Sequence, residues 1–180
     1  MTTLSIPYAK TGYFSKLICD YLAEDPLLSD FYGRSPSLEN FKEQLEEKQL
    51  SFTTDSRKTL VSALQTQYKN TTTSQATRNN IASLSEVNTF TITTGHQLNL
   101  FTGPLYFLYK IFSVINLSEK LKATYPNSNF VPIYWMASED HDFDEINYFN
   151  LFGNKLQWER ESGGAVGALT NDGLAEILKE

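Results

Sequence analysis

The sequence predicts an α/β fold: a Rossmann-like parallel sheet preceded by an N-terminal helical segment. Three observations carry that reading. Residues 89–94, TFTITT, alternate β-branched and aromatic side chains, which is a strand signature. A long apolar stretch then repeats Leu105, Leu108, Phe112 and Ile115 at helical spacing until Tyr125-Pro126. Residues 130–136, FVPIYWM, are nearly all apolar, as expected of a strand covered on both faces. Strand, helix, strand is the βαβ unit of a parallel sheet.

The elements follow in order. Tyr13, Phe14, Leu17, Ile18, Tyr21 and Leu22 keep a 3.6-residue period and stop before Asp25-Pro26. Ser37 to Asn40 opens a second helix that turns Phe41, Leu45 and Leu50 inward. Asp55 is positioned to cap a third, with Leu60, Val61, Leu64 and Tyr68 on one face. The polar run 69–80, KNTTTSQATRNN, reads as a surface loop or a helix-loop-helix junction. Thr102 is the expected N-cap of the long helix, with Pro104 near N1 where a missing N–H costs nothing. Residues 148–152 and 155–158, separated by Gly153-Asn154, look like a hairpin. The glycine-rich run 163–170 reads as a flexible turn. The last residues, GLAEILKE, read as a helix barely begun, with Leu174, Ile177 and Leu178 on one side. That ending predicts the N-terminal piece of a longer protein with an incomplete core. Residues 1–86 form the expected helical segment packing on the core. Residues 87–180 form the first part of the Rossmann-like domain with its hairpin.

Composition narrows the function. The 180 residues carry a net charge of −6 without a run of Lys or Arg, which argues against nucleic acid as the main partner. No segment approaches the roughly 20 apolar residues of a membrane span. The N-terminus lacks signal-peptide grammar, and the single cysteine, Cys19, excludes an intramolecular disulfide. A cytoplasmic protein is the expectation.

Ligands of an open parallel sheet sit beyond the carboxyl ends of its strands. Both polar clusters of this chain fall there, and between them they hold both of its histidines. Gly95-His96-Gln97 follows the first strand; Ser138-Glu139-Asp140-His141-Asp142 follows the second. Gly95 allows a tight turn and a close ligand approach. His96 is suited to bind an anionic oxygen or to move a proton near neutral pH. Gln97 and Asn99 offer donors and acceptors, and the backbone near Gly103 opens a helix, an anion-friendly position. The carboxylates flanking His141 suit an amine, a divalent cation or the fixing of an imidazole tautomer. Plainer readings exist for each. A strand-end histidine is often a hydrogen-bonded loop residue, an acidic run is ordinarily a solvated helix start, and Lys110 reads as surface. Dinucleotide, P-loop and zinc fingerprints are missing, and no metal site is expected.

Residues 89–110 (TFTITTGHQLNLFTGPLYFLYK), residues 131–146 (VPIYWMASEDHDFDEI) and Gly163 to Gly167 together resemble the bacillithiol biosynthesis cysteine-adding enzymes, the cysteine ligase family BshC. FSKLICDYL (14–22) and DPLLSDFY (25–32) fit the same pattern. The resemblance spans the chain, and three motifs occur in the family's order. It implies an amide-forming ligase that joins cysteine to the amino group of glucosaminyl-malate, in a longer protein that dimerises through a coiled coil absent here. It also suggests a distant relation to nucleotidylyl transferases, whose first histidine His96 matches. Gly103-Pro104 stands where those proteins have their second. The residues do not identify the acyl-activating co-substrate, and a nucleotide such as ATP or ADP stays a candidate. On this reading His96 and the helix opening hold an activated acyl or phosphate group. Asp140 or Asp142 holds the amine and His141 takes its proton, while Gly95, Gln97, Asn99, Gly103, Ser138 and Glu139 line the site. The alternatives are a nucleotidylyl transferase, a nucleotide-binding Rossmann module, and a fragment without catalysis.

Overall fold

A computed structural model describes residues 4–101, 103–177 and 179. The expected cap Thr102 and the expected apolar Leu178 lie outside them. Two compact units divide the chain, Met1–Ser51 and Phe52–Glu180.

The first unit is helical. Its helix α1 (Lys16–Leu22) is started by Ser15, whose side chain accepts from the Ile18 N–H. Tyr13 and Phe14 therefore precede the helix, and Phe14 stacks on Tyr8 at 4.0 Å. Helix α2 (Phe41–Ser51) turns Phe41 and Leu45 partly inward, but Leu50 is exposed. Arg34 is held between Glu43 and Glu47 at 3.2 and 2.7 Å.

In the second unit, helix α3 (Thr54–Gln67) is capped by Thr53, with Asp55 in its first turn. The polar run resolves into helix α4 (Gln75–Ser83), because Ser74 caps it and Ile81 supplies a buried anchor. Residues 52–86, grouped by sequence with the N-terminal helices, thus lie in the sheet's unit. Arg57 ties them to it: its guanidinium donates to the carbonyls of Leu84, Val87 and Thr89 at 2.9–3.1 Å and faces the Phe52 ring. Burial lowers the Arg57 pKa, yet three carbonyls compensate the desolvated charge.

Strand β1 (Thr89–His96) and strand β2 (Asn129–Met136) pair in parallel, with Phe90 opposite Phe130 and His96 opposite Met136. Helix α5 (Leu105–Thr124) connects them and packs on both. Its N-cap is Pro104, two residues after the expected Thr102, so Pro104 precedes the first helical residue instead of standing near N1. Its buried residues are Ser118 and Leu121, with Phe107, Leu108, Ile111, Val114 and Ile115 partly buried; Leu105 and Phe112 are exposed. The first part of the helix, residues 105–115, has only Lys110 and Ser113 among apolar and tyrosine side chains, so spacing alone cannot choose its inner face. Strand β2 likewise departs from two-sided burial. Phe130 and Val131 are buried, whereas Trp135 and Met136 are each 59% exposed.

Beyond β2, helix α6 (Phe143–Ile146) leads into the antiparallel hairpin of β3 (Tyr148–Leu151) and β4 (Asn154–Gln157). Phe152 and Gly153 form its turn, both at positive φ, so the turn sits one residue before the expected Gly153-Asn154. Phe143, Ile146, Trp158 and Val166 build a second core, with Leu98, Leu100, Leu169, Leu174 and Ile177 against it. The glycine-rich run closes over this core through a short 3-10 turn, Val166–Ala168, and a last helix, α7 (Leu174–Ile177), follows. Among the described residues, no helix is long and apolar enough to cross a membrane.

Candidate functional site

The carboxyl ends of β1 and β2 present the polar groups that the βαβ topology requires there. Gly95 lies inside β1 opposite Trp135, and a Cβ would stand 3.0 Å from the Trp135 carbonyl oxygen. Its role is room for the neighbouring strand, not a turn. The turn comes at Gly103, whose φ of +61° and closeness to the Asn99 side chain leave no space for another residue. The Gly103 N–H is already given to the Leu100 carbonyl at 3.2 Å and Pro104 has none, so the anion-binding capacity expected at Gly103 is spent locally.

His96 ends β1 with its side chain only 4% exposed. Its Nδ1 lies 3.0 Å from the Gln97 carbonyl oxygen and 3.0 Å from Asn99 Nδ2. Its Nε2 lies 2.9 Å from the Tyr106 hydroxyl and 3.3 Å from Glu145 Oε1. Tyr106 spends its one O–H on Glu145 Oε1 at 2.9 Å, which leaves its oxygen to accept from an Nε2–H. Asn99 then suits a bare Nδ1, and the Gln97 carbonyl suits a protonated one. Phe107 closes the ring's other side edge-on, and the His96 carbonyl accepts from the Tyr134 hydroxyl at 3.1 Å. Both ring nitrogens are thus engaged inside the protein.

Glu145, from α6, is the group that joins the two clusters. It accepts from Tyr106 and from the Gln97 side-chain amide, and its Oε1 lies 3.3 Å from the His96 Nε2. Burial pushes its carboxyl up; the bonds from Tyr106 and Gln97 and the charge of His96 outweigh this and hold it below its ordinary value. The Tyr106 phenol is raised by burial and by Glu145, so it stays a donor. Lys110 lies over the Tyr106 ring at 5.5 Å and donates to the Gly95 carbonyl at 3.3 Å, tying α5 to the strand end.

The second cluster is arranged differently. The Asp140 carboxylate accepts from the backbone N–H groups of His141 and Asp142, and Asp142 caps α6 by accepting from the Glu145 N–H. The His141 side chain is 87% exposed and, among the described residues, pairs with Asp140 at 3.8 Å. These residues, with Phe143, Asp144, Glu145 and Ser162, line an open cleft of about 420 Å³. Glu139 accepts from the Trp135 indole at 3.0 Å. Ser138 supports the glycine-rich run: its carbonyl accepts from the Gly167 N–H, and a Cβ on Gly167 would meet Ser138 at 2.6 Å. Gly167→Ala is therefore expected to destabilise the second unit by about 1–3 kcal/mol. An unchanged urea midpoint would contradict that packing. Among the described residues, no group of three or more His, Cys, Asp or Glu is gathered to hold a metal ion.

The structure brings His96, Gln97 and Asn99 together and sets Asp140, His141 and Asp142 around the adjoining cleft. Glu145 and Tyr106 are the residues that sequence reasoning missed. The available signal was Asp142-x-x-Glu145, a helix-start spacing that puts the glutamate back towards the strand ends. A pH test follows from its lowered pKa. Charged Glu145 stabilises the fold above the ordinary glutamate value of 4.5, and this contribution disappears as pH falls through the folded value. Solvent screening at a 41% exposed side chain keeps it small. The pH-dependent part of the stability gap between parent and Tyr106→Phe should close on acidification, as read from urea unfolding at stepped pH. A gap that widens towards acid contradicts the network.

A parallel strand pair with its connecting helix, and polar groups at the carboxyl edge, defines a Rossmann-like domain. The family model described as "Bacillithiol biosynthesis BshC, N-terminal Rossmann-like domain" matches residues 1–180, so the chain belongs to the BshC family. Among curated proteins it is 57% identical over 178 residues to a Flavobacterium johnsoniae protein named "Putative cysteine ligase BshC", covering 99% of this chain and 34% of that one. Proteins of the same name from Flavobacterium psychrophilum and Christiangramia forsetii are 60% and 56% identical, over 179 and 183 residues, with the same two coverages. The chain spans about a third of the length of these relatives.

Proposed function

We propose that the chain is the Rossmann-like part of a cytoplasmic cysteine ligase that joins L-cysteine to the amino group of glucosaminyl-malate in bacillithiol biosynthesis. The match of the whole chain to the BshC domain carries this reading. The full-length protein would act as a homodimer.

The chemistry sets the demands. A free carboxylate and an ammonium ion do not condense in water unaided. The cysteine carboxyl must be activated, and the amine must lose a proton before it attacks. A nucleotide such as ATP is the candidate activator. In this reading the β1–α5 turn frames the acyl side of the site, with His96, Gln97, Asn99 and Gly103 shaping that wall rather than binding the acyl group's charge. Asp140 and Asp142 attract the amine, and the exposed His141 is free to take its proton. Supporting this division, Glu145 lines the cleft with Asp140, His141 and Asp142 and also lies 3.3 Å from the buried His96.

Cells lacking the endogenous gene and supplied with full-length protein test the assignment. His96→Ala and Asp140→Ala should each deplete bacillithiol at equal protein level. Undiminished bacillithiol in both strains sinks these roles.

A further inference from the structure

Neither ring nitrogen of His96 is free to meet a substrate, although His96 is the group the sequence puts first. The charge at this rim reaches solvent through Glu145, whose side chain is 41% exposed against 4% for His96. Its two oxygens differ. Oε1 accepts from the Tyr106 hydroxyl at 2.9 Å and lies 3.3 Å from the His96 Nε2. Oε2 accepts only from the Gln97 amide among the described bonds and keeps a lone pair. Glu145 is also a wall of the cleft that holds Asp140, His141 and Asp142.

A second observation concerns Gln97, which is 2% exposed. Its Oε1 is buried without a partner, on the same carboxamide that binds Glu145. The capacity left at this inner end is therefore acceptor capacity, and a buried acceptor without a donor costs about 1–3 kcal/mol. Such a place suits a group that donates several hydrogen bonds and carries positive charge. It repels phosphate and carboxylate. No metal-ligand grouping is present among the described residues, so an ammonium group fits better than a divalent ion.

We infer that Glu145 is the substrate-binding carboxylate for the amine, through Oε2, while His96, Tyr106 and Gln97 position it. This rests on the ligase reading for the identity of the amine, and adds the residue that recognises it. The groups facing Glu145 are His96 and Gln97 at the end of β1, Tyr106 on α5, with Lys110 over its ring, and Asp140 in the following loop. The two neutral donors, the Tyr106 hydroxyl and the Gln97 amide, favour the ionised carboxylate, and Asp140 adds to the pull on a cation.

Nuclear magnetic resonance on the full-length protein, with labelled glutamate carboxyls and glutamine amides, tests the inference, with glucosamine as the amine probe. Glucosamine should shift the Glu145 carboxyl and the Gln97 side-chain amide saturably. N-acetylglucosamine, which lacks the ammonium group, should shift neither. Glu145→Gln should weaken binding about tenfold or more, a loss of about 1.4 kcal/mol. Glu145→Asp, which keeps the charge, should retain part of the affinity, and amide spectra report whether each variant folds. Equal response to both sugars overturns the inference. So does binding unchanged in Glu145→Gln, saturation by magnesium in place of glucosamine, or no response to glucosamine. Turnover of labelled cysteine by the full-length protein tests the ligase reading separately. Turnover without Glu145-dependent binding removes only this assignment, and binding without turnover removes only the ligase.

Discussion

Phe130→Ala is expected to destabilise the second unit by about 3–5 kcal/mol, a large share of the roughly 5–15 kcal/mol available to a domain. Phe130 is fully buried at the start of β2, opposite Phe90 at a ring distance of 6.1 Å. Truncation removes its transfer free energy and leaves a cavity that a β-ladder on one side and α5 on the other cannot collapse to fill. The paired control is Trp135→Ala on the same strand. That side chain is 59% exposed, so its loss should change stability by no more than about 0.5 kcal/mol. Urea unfolding of both variants reads the difference. Equal losses at the two positions would show that β2 is covered along its whole length, contrary to the burial described.

The second large effect belongs to His96. In full-length protein, His96→Ala should lower kcat by about 10²-fold, the scale of loss when a reacting group is misplaced by about 1 Å. The imidazole touches four partners, and its removal lets Glu145 and Tyr106 reorient. It also leaves polar groups without their buried partner, at a stability cost of about 1–3 kcal/mol. His96→Gln restores one donor near Nε2 and should recover part of the rate. A purely structural role would give similar unfolding losses in both variants with kcat unchanged in the folded fraction.

The parallel unit was legible because its local signals agree. Alternation in 89–94, the apolar run of 130–136 and the Tyr125-Pro126 stop admit few other arrangements. The clusters at the strand ends followed from topology alone. What stayed hidden is tertiary. Leu105 and Phe112 fit the helical period as well as Ile111 and Val114, and packing on two strands decided between them. Arg57 carries no sequence signal of burial, yet three carbonyls before and within β1 draw it inward. Glu145 was one carboxylate among several. Only the meeting of Tyr106 from α5 and Gln97 from the end of β1 singles it out. The two histidines share an edge in sequence order, but one is sealed in a network and the other stands in solvent.

Incubation of the full-length protein with labelled cysteine, glucosaminyl-malate and ATP, followed by mass spectrometry, tests the central claim most directly. The account predicts a labelled amide whose mass is the sum of the two substrates less water. Recovery of unchanged cysteine alongside a nucleotide-linked product and released pyrophosphate would contradict it, and would make the domain a nucleotidylyl transferase instead.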